Sequence, residues 1–234
     1  MIVYGRNAVR EALRGPRTVK RAWATERAAA DVLDRTPVSV TIVASPSEIE
    51  RRCGSPDHQG VCAEVAPFQY ADAGELLRAD EPLIVALDEI QDPRNLGAVC
   101  RTAEAAGAAG VVIPERRSAE VTAAVCRTSA GAVEHLPVAR VRNLADFLLS
   151  ARDAGCWSYG AVPGAARRFD APDYSGGVVL VLGSEGRGLR PRVAAACDEL
   201  VSLPLRGRVS SLNVSAAAAA LMYEILRQRL DSGS

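Results

Sequence analysis

The chain has 234 residues, 48% of them hydrophobic and 24% charged, and its 28 basic side chains balance 28 acidic ones. That length makes one large domain or two small ones, with enough apolar residues for a core in either case. Zero formal charge and a pI near 6.7 exclude a global positive field as the means of holding nucleic acid, so any phosphate contact has to come from a local patch.

Residues 1 to 66 read as a small α/β unit. Apolar positions 8, 9, 12 and 13 predict a helix over Gly5 to Leu13, stopped by Gly15-Pro16. Val19 to Ala24 is strand-like, Ala28 to Leu33 a short helix and Val38 to Val43 a β-branched strand. Ser45-Pro46-Ser47-Glu48 has the form of a capping box opening a helix through Arg52, and Val61 to Val65 is a last strand. In the first 30 residues Arg6, Arg10, Arg14, Arg17, Lys20, Arg21 and Arg27 face only Glu11 and Glu26, which predicts a phosphate-binding face; a solvated helix surface is the plainer alternative.

Pro67 to Pro82 reads as a linker. Beyond it strands and helices alternate. Strands are expected at Leu83 to Leu87, Val111 to Ile113, Val138 to Val141, Trp157 to Val162, Val178 to Leu182 and Leu200 to Leu203. Helices are expected from about Asn95 to Ala106, and over Ala119 to Cys126, Leu144 to Ala154, Pro191 to Cys197 and Leu212 to Leu230. This alternation implies a parallel sheet covered on both faces, with ligands at the C-terminal ends of its strands. Cys53, Cys62, Cys100, Cys126, Cys156 and Cys197 form no C-x-x-C pair and only His58 and His135 stand beside them, so they read as core residues and no metal site is expected. The opening Met1-Ile2-Val3-Tyr4-Gly5-Arg6 is not a signal sequence and no long apolar run follows, which points to a cytoplasmic protein.

Three blocks carry the chemistry. The first holds Asn95, Gly97, Arg101, Thr102 and Ala103; the second runs Gly183-Ser184-Glu185-Gly186-Arg187-Gly188-Leu189; the third is Ser211-Leu212-Asn213-Val214-Ser215. The second is neither a dinucleotide fingerprint nor a Walker loop. Asn95 following Pro93 suits a helix N-cap, and Ser211 and Asn213 either face a ligand or cap the last helix.

In this order the blocks resemble the three motifs of the SpoU (TrmH-like) 2'-O-ribose RNA methyltransferases, a branch of the SPOUT class, over roughly residues 83 to 230. The resemblance implies a catalytic domain over 83–234 whose C-terminal part forms a trefoil knot, with S-adenosylmethionine bent inside it. It implies catalytic roles for Asn95, Arg101, Glu185, Ser211 and Asn213, and cofactor contacts from Gly183, Leu203, Leu205, Ser211 and Leu212. A guanidinium is charged at any accessible pH, so Arg101 is better suited to gripping a phosphate and stabilising alkoxide charge than to acting as a base. Arg94, Arg206 and Arg208 join Arg6 and Arg10 as candidate RNA contacts, and Ser129-Ala130-Gly131-Ala132 resembles a further family turn at the site.

The Tyr4-Gly5-Arg6-Asn7 opening and His58-Gln59-Gly60-Val61 resemble the L30e-like substrate-binding domain of some family members. They favour the branch that methylates a guanosine of 23S ribosomal RNA, with transfer RNA, an antibiotic-target nucleotide or a non-catalytic RNA-binding role as alternatives. In relatives the last helix joins a homodimer; the alanine run Ala216 to Ala220 fits that role or burial within the subunit.

Overall fold

Alternating apolar residues near the N-terminus pair into a four-stranded sheet whose order is β1 (Ile2–Tyr4), β4 (Val61–Val65), β2 (Val19–Ala24) and β3 (Ser39–Ile42). β3 runs parallel to β2 and the other pairs are antiparallel. The three-residue β1 is too short to carry a periodicity of its own; it is fixed by pairing with β4. Helices α1 (Arg6–Arg14), α2 (Glu26–Val32) and α3 (Pro46–Cys53) complete the layer. Ser45 caps α3, its hydroxyl accepting from the Ser47 amide at 3.2 Å. The computed structural model describes residues 1–32 and 38–232, so Leu33, the end predicted for α2, lies outside the described residues.

This unit comprises Met1–Gln69 together with a distant segment, Glu120–His135. The helix expected over Ala119 to Cys126 forms later, as Ala123–Thr128 (α6, sixth along the chain), and packs on β1. The turn after it touches α1 so closely that a Cβ on Gly131, whose φ is +90°, would lie 2.6 Å from the Glu11 Cβ. The turn Ser129–Ala132 therefore belongs to this unit. Its anchor is a buried ion pair between Arg17 and Glu134, with side chains 7% and 0% exposed and the Arg17 Nε donating to Glu134 Oε2 at 2.7 Å. Burial opposes the Arg17 charge, but Glu134 and the nearby Cys126 more than restore it.

The second unit, Tyr70–Ala119 with Leu136–Ser234, is built on a seven-stranded, wholly parallel sheet. Its order is β7 (Val138–Val141), β6 (Gly110–Pro114), β5 (Leu83–Asp88), β10 (Gly177–Gly183), β8 (Cys156–Ala161), β11 (Glu199–Ser202) and β9 (Arg167–Arg168). The helices are α4 (Ala73–Leu76), α5 (Pro93–Ala105), α7 (Leu144–Asp153), α8 (Pro191–Ala196) and α9 (Val214–Asp231). Ile84, Ala86, Val179 and Val181 share one core cluster with Leu144, Leu148 and Val193, the layer of α7 and α8. Their neighbours Val85, Leu87, Leu180 and Leu182 are equally buried and, by strand alternation, face the other side, where α5 packs against α9. Cover on both faces explains why β5 is buried along its whole length, including Asp88. Among the described residues no helix is long and apolar enough to cross a membrane.

Replacing Glu134 by alanine strands the Arg17 guanidinium in the interior, at an expected cost of about 3–5 kcal/mol. Urea unfolding followed by Trp23 fluorescence in a Trp157→Phe background measures it, and an unchanged midpoint contradicts the anchoring role.

Candidate active site

The C-terminal ends of β5 and β10 lie side by side, Asp88 in register with Gly183, so the loops that follow them open at the same edge of the sheet. After β5, Asp92 caps α5, its Oδ1 accepting from the Arg94 amide at 2.8 Å, with Pro93 in the first turn. This corrects the expectation that Asn95 is the cap: an Asp-Pro pair starts the helix three residues earlier, and the Asn95 side chain is left free for other partners.

After β10 the chain folds back on itself. Ser184 bridges Gly188, whose amide donates to the Ser184 carbonyl at 2.9 Å, and Gly186 and Gly188 take φ of +80° and +68°. A Cβ on Gly183 would lie 2.1 Å from the Gly188 carbonyl carbon, so only glycine fits beneath the returning loop. The returning end is tied to β5 by Asp88, whose carboxylate accepts from the Arg190 amide and from the Arg190 Nε, each at 2.8 Å. The bond to Asp88 raises the Arg190 guanidinium above its ordinary pKa. Next to Asp88, Glu89 has φ of +58°, a left-handed backbone that costs a side-chain-bearing residue about 1–3 kcal/mol.

The third block joins these two through α9. Asn213 caps that helix, its Oδ1 accepting from the Ser215 amide at 2.9 Å. Its Nδ2 donates to Asn95 Oδ1 at 3.0 Å and to Glu185 Oε1 at 2.5 Å, while the Asn95 Nδ2 donates to the same Glu185 oxygen at 3.2 Å. The two roles that the sequence leaves open for Asn213, capping and facing the site, are therefore both filled. Two amides share Glu185 Oε1, and Glu185 Oε2 has no hydrogen bond or ion pair among the described residues.

Two cavities meet at this triad. The larger, of about 750 Å³, is lined by Gly183, Leu203, Leu205, Ser211 and Leu212 among others, which is the whole set expected to meet a cofactor. The smaller, of about 300 Å³, is lined by Glu89, Gln91, Asp92 and Asn95 among others. Ser184, Glu185 and Arg187 line both, so Glu185 stands in the wall between them.

The candidate arginines behave differently from one another. Arg101 is exposed on α5, about 240° around the helix from Asn95, and makes no hydrogen bond or ion pair among the described residues. It does not join the triad. Arg206 and Arg208 are likewise exposed and without such partners among the described residues, whereas Arg94 is paired with Asp92, whose carboxyl it holds below its ordinary pKa. In the N-terminal unit Arg6 and Arg10 both pair with Asp31, and Lys20 and Arg21 pair with Glu64. The local cation excess is thus partly offset by Asp31, Glu64 and Glu134, acids that the fold brings in from further along the chain. Sequence reasoning missed Asp88, Glu89, Arg187 and Arg190 as site residues; the available signal was an acidic pair closing a wholly apolar strand.

Residues 82–223 match a family model described as the SpoU rRNA Methylase family. Residues 2–71 match a model for RNA 2'-O ribose methyltransferase substrate binding. YacO of Bacillus subtilis (strain 168), named as a TrmH family tRNA/rRNA methyltransferase, is 40% identical over 237 residues, covering 97% of this chain and 95% of that protein. The Synechocystis protein slr0955, named as a tRNA/rRNA methyltransferase, is 40% identical over 240 residues; the match covers 97% of this chain but spans 62% of that protein. Among solved structures, the SpoU methyltransferase AviRb from Streptomyces viridochromogenes in complex with AdoMet superimposes with a TM-score of 0.81 at 26% identity, covering 98% of this chain and 90% of that one.

Gly183→Ala forces the returning loop off β10 and opens the larger cavity. Its affinity for S-adenosylmethionine, measured by calorimetry, is expected to fall at least about tenfold, in line with the packing cost of an added methyl group. Wild-type affinity contradicts the assignment of this loop to the cofactor cavity.

Proposed function

Since the chain belongs to the SpoU rRNA methylase family, we propose that it moves the methyl group of S-adenosylmethionine to a ribose 2'-hydroxyl of RNA, with a guanosine of 23S ribosomal RNA as the target. The observation that carries this reading is the position of Glu185, fixed by Asn95 and Asn213 in the wall between two cavities. Transfer needs the donor methyl and the accepting oxygen about 3–3.5 Å apart with nothing between them, and the two cavities adjoin at Glu185.

The larger cavity suits the donor. Leu205 and Leu212 are 37% and 47% exposed there, apolar surface that an adenine would cover. When bound, the cofactor supplies a methyl already activated on a sulfonium. What is left to the protein is alignment and control of one proton. The Asn95 and Asn213 amides orient the Glu185 carboxylate, and its unpartnered Oε2 accepts the hydrogen bond of the incoming 2'-hydroxyl. Ser211 adds a hydroxyl to the lining of the larger cavity.

Arg101 carries the phosphate next to the target ribose and offsets alkoxide charge, with Arg206 and Arg208 holding RNA further out. Because Arg101 faces away from Asn95 on its own helix, a homodimer that brings in the arginine of a second copy fits this role. Ala216, Ala220, Tyr223 and Leu230 support it, forming an exposed, mostly apolar stripe along α9. A trefoil-knotted path for the C-terminal part belongs to this reading, in keeping with the family; Leu203, Leu205 and Ser210 to Asn213 line one cavity with Ala161, Pro163 and Gly183. The N-terminal unit serves as the L30e-like RNA-binding domain, working in the cytoplasm. The relatives' names also print tRNA, and transfer RNA is the second substrate class to assay.

Arg101→Ala is expected to lower turnover about 100-fold or more while leaving S-adenosylmethionine affinity unchanged. Arg101→Lys should recover part of the RNA affinity, because the charge remains, but little of the turnover. Radiolabelled methyl transfer to 23S and transfer-RNA transcripts, with RNA binding measured separately, reads both. Full turnover in Arg101→Ala removes this residue from the mechanism.

A further inference from the structure

We propose that Glu89 selects the base of the target nucleotide, its carboxylate accepting from the N1–H and N2–H groups of a guanine held in the smaller cavity. The inference rests on the acceptor reading of that cavity.

The lining of the cavity limits what can enter. Glu89, Asp92 and Glu185 are three acidic residues among those lining about 300 Å³, with Arg187 as the cation of the lining. A phosphate is repelled from such a space, so the phosphates stay outside and a group rich in hydrogen-bond donors goes in. The three carboxylates are not equivalent. Asp92 is committed to capping α5 and to Arg94. Glu185 is held by Asn95 and Asn213 at the wall facing the cofactor cavity. Glu89 is left to meet the rest of the ligand.

Its surroundings suit that task. The Glu89 side chain is 9% exposed, and its charge is balanced by Arg190 at 3.4 Å and Arg117 at 3.5 Å. Both guanidinium groups approach Oε1, and Oε2 makes no hydrogen bond among the described residues. Arg190 is also clamped to Asp88, so the partner that holds Glu89 is itself fixed. The left-handed backbone, at φ of +58°, is one where glycine or asparagine rests more easily, and the chain spends a glutamate there instead. A buried, charge-compensated, immobile carboxylate only accepts hydrogen bonds. Guanine presents two adjacent N–H donors on its Watson–Crick edge; adenine and cytosine set a ring acceptor beside their amino group, and uracil has one N–H flanked by carbonyls.

The test begins by mapping 2'-O-methylation on unmodified 23S and transfer-RNA transcripts treated with the wild-type enzyme. Transcripts carrying guanosine or inosine at the mapped position are then compared for the wild type and for Glu89→Gln. Inosine keeps N1–H but lacks the 2-amino group, so kcat/KM of the wild type should fall about tenfold or more on the inosine transcript. Glu89→Gln should lose a similar factor on guanosine and no longer distinguish the two RNAs, with cofactor affinity unchanged and the melting temperature lowered by loss of the charge that Arg190 and Arg117 meet. The inosine arm needs no variant and stands even where Glu89→Gln folds poorly. Equal wild-type rates on both transcripts, or undiminished guanosine preference in Glu89→Gln, overturn the role of Glu89 and leave the guanosine reading intact. Methylation of uridine, cytidine or adenosine by the wild type overturns both.

Discussion

One carboxylate oxygen shared by two side-chain amides is the interaction on which the rest of the site depends. Glu185 Oε1 receives Asn95 at 3.2 Å and Asn213 at 2.5 Å, and Asn95 and Asn213 also bond each other at 3.0 Å. These residues come from three segments separated by 90 and 28 positions along the chain, the first turn of α5, the loop after β10 and the cap of α9, so no local propensity assembles them. The wall between the cavities exists because the three segments are held at that point. Both amides use Oε1, and Oε2 has no hydrogen bond or ion pair among the described residues.

The loops converge because of where the strands end. A parallel sheet delivers β5 and β10 to one edge in register, and each strand is followed by a turn whose chemistry is set by its neighbours. Asp88 lies buried at the end of β5 and would be costly without partners; it recovers that cost by gripping Arg190 through backbone and side chain, which closes the glycine loop. Gly183 permits the close return that the grip demands. Asn213 then places the start of α9 over the same point, and α9 is held from behind by packing on α5. Fold stability and site geometry are therefore the same set of contacts at this edge of the sheet.

Much of this was legible in the sequence where the signal is local. The apolar runs gave β5, β10 and the helices between them, and the three blocks gave the residues that meet at Glu185. Asn95 is not the cap because the stronger Asp92-Pro93 start begins three residues before it. The basic N-terminal face was overestimated because its neutralising partners, Asp31, Glu64 and Glu134, are remote in sequence from most of the arginines they meet. Residues 120–135 read as part of the second unit for the same reason: they are held by remote partners, the packing of α6 on β1 and the buried pair of Arg17 with Glu134, 117 positions apart. Glu89 escaped notice because nothing in a sequence reports a left-handed backbone at a glutamate.

The central claim is that Glu185 divides a donor cavity from an acceptor cavity. A crystal structure of the protein with S-adenosylmethionine tests it most directly. The account predicts the adenine among Leu203, Leu205 and Leu212, the methyl directed at the wall formed by Glu185, and the bonds from Asn95 and Asn213 to Glu185 intact. Cofactor bound outside the larger cavity, or a methyl directed away from Glu185, would contradict it.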